Sequence, residues 1–141
     1  VEEVLVLFDR SQLHQTIWKL MENALLHAAE NNTTPSVGII MERQPHTGYC
    51  VVTIEDNGPG ISAEEIEHIF EPFYTTNRQG TGLGLYIARQ LCEVNQAALT
   101  VDSTLGKGTR FHIRMALARS DLSKGSKPID VSTNKALGTS T

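Results

Sequence analysis

The sequence predicts an α+β fold, a two-layer α/β sandwich in which a mixed sheet of about five strands packs on three helices. Apolar residues recur at helical spacing over a long early stretch, they alternate strictly with polar ones in the stretch ending at Leu117, and the segments run helix, strands, helices, strands. That order places the helices on one face of the sheet.

The first helix spans residues 11–30, where Leu13, Ile17, Leu20, Met21, Ala24, Leu25 and Ala28 share one face. Lys19, Asn23 and His27 follow one turn apart on its edge. Ser62 and Glu65 form a capping box that opens a short second helix, over residues 62–70. The third helix covers residues 83–94, with Leu83, Ile87, Leu91 and Val94 on its buried stripe. The clearest strand puts Thr109, Phe111, Ile113, Met115 and Leu117 on one face and Arg110, His112 and Arg114 on the other. Shorter strands are expected at residues 4–8, 36–41, 49–55 and 99–103. In the third of these Cys50, Val52 and Ile54 point the same way, and Asp56 continues their face.

A chain of 141 residues is one domain's worth. It is long enough to bury roughly 70% of its unfolded surface without a disulfide or metal staple. Its two cysteines, Cys50 and Cys92, set no framework and fit a reducing compartment. Apolar runs fall well short of the ~18 residues of a membrane span, and Glu2 and Glu3 do not suit a signal peptide. Residues 119–141 hold eight Ser/Thr and no aromatic, and read as a disordered tail behind a domain of residues 1–118. The tail carries +2 of the total −4, so residues 1–118 stand at −6. An acidic domain without a basic stripe is a poor nucleic-acid binder. Its function must come from a local site that concentrates positive potential.

Glycine clusters mark that site. Gly80-Thr81-Gly82-Leu83-Gly84-Leu85 runs into the third helix, where close backbone approach and the helix start both suit phosphate. Taken alone, such an entry is more often only a turn. It is not a dinucleotide fingerprint, since the polar residues 74–79 precede it instead of a strand, nor a P-loop, since Leu follows its last glycine. Asp56-Asn57-Gly58-Pro59-Gly60 has the composition of a strand-ending turn. Yet Asp56 lies on an apolar face, where a carboxylate needs a donor, and a purine's exocyclic amine is one candidate. A calcium loop is excluded because Gly58 and Gly60 bring no side-chain oxygen. Gly106-Lys107-Gly108-Thr109 reads as a hairpin turn.

In order, the chain carries Glu22-Asn23-Ala24, Asp56-Asn57-Gly58-Pro59-Gly60-Ile61, Ile69-Phe70-Glu71-Pro72-Phe73-Tyr74-Thr75-Thr76, Gly80-Thr81-Gly82-Leu83-Gly84-Leu85 and Gly106-Lys107-Gly108-Thr109-Arg110-Phe111. This series resembles the catalytic ATP-binding domain of bacterial two-component sensor histidine kinases, which belongs with the gyrase-, Hsp90- and MutL-like ATPases. The stretch between Ile61 and Gly80 looks like the lid of the nitrogen-sensor and pilus-regulator branch. The resemblance implies a Bergerat fold, binding of ATP with Mg²⁺, and donation of the γ-phosphoryl group to a histidine on a separate dimerisation domain. It implies that Asn23 coordinates Mg²⁺, that His27 lies beside the ribose or adenine, and that Asp56 accepts a hydrogen bond from the adenine amine. Gly58 and Gly60, followed by Ile61, would pass close to the base. Phe70 and Phe73 would anchor the lid, with Tyr74, Thr75 and Thr76 beginning its mobile part. Gly80, Thr81, Gly82, Leu83, Gly84 and Leu85 would line the phosphates, and Thr109 would back Asp56.

The chain departs from the family pattern twice. Lys19 stands one turn before Asn23, where the family commonly has asparagine and its hydrolytic relatives have a glutamate base. A protonated lysine cannot ligate Mg²⁺ but can meet a phosphate as a point charge; Lys19 therefore either weakens metal binding or contacts a phosphate. Asn77 and Arg78 follow the two threonines where a lysine is common, and Arg78 is expected near the γ-phosphate. His14, His27, His46, His68 and His112 all lack the helical-hairpin context of a phosphoacceptor. The expectation is a monomeric, cytoplasmic fragment without membrane contact, acting with the acceptor domain of a homodimeric kinase and a response regulator. A hydrolytic Bergerat-fold ATPase and a non-catalytic nucleotide-binding regulatory module are the alternatives.

Overall fold

Asp9 caps the first helix: its Oδ2 accepts the Gln12 N–H at 2.9 Å, and α1 follows as Arg10–Asn31. The computed structural model describes residues 3–31, 34–75 and 80–118. The expected tail at 119–141, Thr76 and Arg78 lie outside the described residues. Thr16, Leu20, Ala24 and Ala28, each four residues on, form the buried line of α1. The Thr16 hydroxyl is satisfied by the Gln12 carbonyl at 2.8 Å. Leu25 follows Ala24 around the helix and is 56% exposed, contrary to expectation.

The strands are β1 (Val37–Gln44), β2 (Tyr49–Asp56), β3 (Ala98–Thr104) and β4 (Gly108–Ala116), in the order β1-β2-β4-β3. Every pairing is antiparallel. The sheet is therefore four-stranded and antiparallel instead of mixed with about five strands. Residues 4–8 bend at Leu7 and Phe8 and contribute only a bridge between Val6 and Leu117. On β2 burial alternates as expected and continues to Asp56. On β4 Thr109, Phe111, Ile113 and Met115 point inward.

The capping box at Ser62 is complete, but α2 (Ala63–Ile66) stops after four residues and turns carry the chain to Phe70. α3 (Gly84–Val94) buries Ala88 and Cys92, while Val94 is 65% exposed. Two small residues one turn apart allow this helix to pack closely, and that face displaces the expected leucine and valine stripe. Asn95 ties the end of α3 to the start of α1. Its Nδ2 donates to Gln12 Oε1 at 2.7 Å and its Oδ1 accepts the Asp9 N–H at 2.9 Å. Leu20 and Ala24 of α1, Ala88 and Cys92 of α3, and Cys50, Ile54, Phe111, Ile113 and Met115 of the sheet form the core. Among the described residues no helix is long and apolar enough to cross a membrane.

Candidate nucleotide site

A cavity of about 600 Å³ opens between α1, the loop at residues 59–61 and the glycine run before α3. Cavities of this size hold small organic ligands. One wall is the α1 edge of Lys19, Asn23 and His27, spaced one turn apart as the sequence predicts. Gly60 and Ile61, Tyr74 and Thr75, and the run Gly80, Thr81, Gly82, Leu83, Gly84 and Leu85 complete the lining. Glu22, Leu26, Glu30, Pro59, Glu65, Ile69 and Ile87 also line it and were missed as site residues. The first three sit three or seven residues from Lys19, Asn23 or His27, so the width of a helical stripe was the signal that would have found them.

Two glycines make the cavity possible. Gly58 packs so tightly against α1 that a Cβ there would lie 2.5 Å from the His27 carbonyl oxygen. Gly82 has φ of +77° and its added Cβ would meet the Phe73 carbonyl carbon at 2.4 Å. The Phe73 N–H donates to the Gly82 carbonyl at 2.8 Å, which holds Phe73 against the glycine run. Phe70 is the side chain that anchors this segment: it meets Phe111 edge-on at 6.2 Å, with the Arg89 guanidinium 4.6 Å above its ring. The Phe73 side chain is 74% exposed, so its hold is through the backbone.

Asp56, Gly58 and Thr109 do not line this cavity. Asp56 and Thr109 face each other across the β2–β4 ladder and border a second hollow of about 370 Å³ with Lys107 and Arg110. Asp56 is only 8% exposed. Its Oδ1 accepts the Gly58 N–H at 2.8 Å, while its Oδ2 is buried without a hydrogen-bond partner. Burial raises the Asp56 pKa; the Gly58 amide, His27 and the Thr109 amide oppose that rise, and Glu30 adds to it. The Thr109 hydroxyl pairs with Ser103 Oγ at 2.9 Å, and Ser103 Oγ also accepts the Ile61 N–H at 2.8 Å. Thr109 is thereby linked through Ser103 to the loop beside the cavity. The third glycine cluster forms the β3–β4 turn as expected, and its Gly106 N–H donates to Pro59 O at 2.8 Å.

The cavity is acidic: among the described residues Glu22, Glu30 and Glu65 line it, against Lys19 as its one lysine or arginine. His27 Nδ1 lies 3.6 Å from Glu30 Oε1. Asn23 Nδ2 is buried and has no partner. The described residues contain no group of three His, Cys, Asp or Glu able to hold a metal. A metal here would take the carboxamide oxygen of Asn23 and oxygens of its ligand, a hard-donor set suited to Mg²⁺. The orphaned Asn23 Nδ2 is a hydrogen-bond donor and suits an oxygen of such a ligand, while its Oδ1 is the atom a metal would take.

A cavity walled by a glycine run at a helix start suits a phosphate-bearing ligand. Residues 8–119 match the model of the histidine kinase-, DNA gyrase B- and HSP90-like ATPases, and the chain belongs to that family. It is 38% identical over 111 residues to the sensor protein kinase PilS of Pseudomonas aeruginosa, covering 79% of this chain and 21% of that protein. Against sporulation kinase A of Bacillus subtilis it is 38% identical over 105 residues, 74% of this chain and 16% of the other. The chain thus spans about a fifth of these relatives' lengths. The mycobacterial sensor histidine kinase MprB superposes with a TM-score of 0.68 at 30% identity, covering 77% of this chain and 72% of that one. Full-length ShkA in complex with AMPPNP superposes at 0.72 with 25% identity, covering 92% of this chain and 25% of that one.

Proposed function

We propose that this chain binds ATP with Mg²⁺ and donates the γ-phosphoryl group to a histidine on a separate dimerisation and phosphoacceptor domain of a sensor kinase. The observation that carries this reading is the cavity joining Asn23, with its unpaired buried amide, to the glycine run at the start of α3. The AMPPNP complex of ShkA supports a nucleotide in this fold.

Asp56 Oδ2, buried and unpaired, is the acceptor for the adenine amine, reached by a shift of the turn that now separates it from the cavity. His27 flanks the base or ribose, and Gly58, Gly60 and Ile61 carry the backbone past it. Asn23 ligates the metal, which when bound neutralises charge on the phosphates. The α3 start has no side-chain cap, so its free N–H groups are available to phosphate oxygens. Tyr74, Thr75, Thr76 and Arg78 form the lid, with Arg78 as a cation near the γ-phosphate. Thr109 steadies the strand beside Asp56.

In the transfer, the bond from the γ-phosphorus to the β–γ bridging oxygen breaks and a P–N bond to the imidazole forms. ADP leaves, and the imidazole proton passes to a base on the acceptor domain. The chain's own contribution is positioning and electrostatics. It works as a cytoplasmic module, monomeric by itself, within a homodimeric kinase that passes phosphate to a response regulator. Incubating it with Mg-ATP and the separately prepared acceptor domain tests the reading: phosphohistidine supports it. Free phosphate alone makes the chain a hydrolytic ATPase, and binding without either product makes it a regulatory module.

A further inference from the structure

Along α1 the cavity wall has a direction. The turn after Asp56 packs on the His27 carbonyl, so with Asp56 as the base acceptor the base end of the site lies at His27. Asn23 lies one turn away from that end, and Lys19 a further turn, about 5.4 Å, beyond it. Lys19 is half-buried and lines the cavity, yet its side chain makes no hydrogen bond or ion pair with the described residues. It faces a cavity whose other charged lining residues on α1, Glu22 and Glu30, are acidic. An unpaired ammonium in such a place has an anion as its natural partner. At the end away from the base, that anion is the last phosphate of the chain.

We infer that Lys19 binds the terminal phosphate directly and makes the site selective for nucleoside triphosphate over diphosphate, even without divalent metal. This rests on the ATP reading of the cavity. A lysine meets phosphate as a compact charge and does so without a metal bridge. ADP stops one phosphate short of Lys19, so the lysine separates the two nucleotides where amides of the glycine run, shared by both, do not. Mg²⁺ and Lys19 offset the same phosphate charge. The lysine's effect is therefore largest when the metal is removed.

The test is equilibrium binding of ATP and ADP to the full 141-residue chain, in Mg²⁺ and in EDTA, for the parent, Lys19→Met and Lys19→Arg. In EDTA the parent is expected to prefer ATP over ADP by about tenfold, the effect of one partly desolvated lysine–phosphate pair. Lys19→Met removes most of that preference by weakening ATP and leaves ADP within about twofold, while Lys19→Arg retains it. Circular dichroism and melting of each variant confirm that it is folded. A parent ATP/ADP ratio near one in EDTA overturns the inference, and so does a Lys19→Met variant that keeps the parent ratio or weakens both nucleotides equally. A parent that binds neither nucleotide in Mg²⁺ refutes the ATP reading itself.

Discussion

Replacing Asp56 by asparagine separates binding from folding, because the two respond in opposite directions. The carboxylate is 8% exposed, with Oδ1 held by the Gly58 amide and Oδ2 buried and unpaired. Its folded pKa lies above the ordinary 3.8 because burial outweighs the Gly58 amide, His27 and the Thr109 amide. A raised pKa means that the group's favourable contribution to stability is complete below the unfolded value. That contribution is lost as pH rises through the folded value. Ionisation of Asp56 in the nucleotide-free chain therefore opposes folding, and Asp56→Asn removes that cost while its Oδ1 still accepts from Gly58. Without nucleotide the variant melts at the parent temperature or higher at pH 7, and it lacks the loss of stability that this carboxyl gives the parent as pH rises above its ordinary 3.8. ATP binding moves the other way. Losing a hydrogen bond to a charged acceptor costs about 1.5–3 kcal/mol, so affinity falls roughly 10- to 150-fold. Calorimetric titration with ATP and thermal melts at pH 4, 5.5 and 7 read both effects. An Asp56→Asn variant that binds ATP within twofold of the parent, or that melts several degrees lower without nucleotide at pH 7, refutes the assignment of Asp56 as the base acceptor.

Two further substitutions probe the phosphate side. Gly82→Ala forces a side chain onto φ of +77° and into the Phe73 carbonyl. It is expected to cost about 1–3 kcal/mol of stability and to weaken ATP at least tenfold by displacing the glycine loop, about 1.4 kcal/mol in binding; unchanged affinity in a folded variant would remove this loop from the site. Arg78→Ala is expected to weaken ATP binding or slow transfer, and parent values in both titration and transfer assays exclude Arg78 from the γ-phosphate.

Much of the fold was legible because β2 and β4 alternate without exception and the Ser62 box is local chemistry. What escaped depends on packing partners. The α3 stripe was misphased because Ala88 and Cys92, unremarkable by hydrophobicity, are the residues small enough for the close face. Leu25 was assigned inward for the same reason, since an apolar residue at a stripe's edge is buried only if something covers it. A fifth strand failed because alternation at residues 4–8 does not reveal the bend after Val6. In the site, the Lys19, Asn23 and His27 edge and the glycine run were readable from spacing and came together in one cavity. The acidic lining was not, because nothing in the helical spacing sets Glu22 and Glu30 against the opposing loops. Asp56 was found from its face on β2, but its separation from the main cavity is set by the turn at Gly58, where only the three-dimensional contact with His27 decides the path.

The most direct measurement is phosphotransfer in trans, with γ-labelled Mg-ATP, this chain and the acceptor domain of the intact kinase prepared separately. Label on the acceptor's histidine, acid-labile and base-stable, with ADP formed in equal amount and none when the chain is omitted, is the predicted result. Release of free phosphate with no label on the acceptor would contradict it.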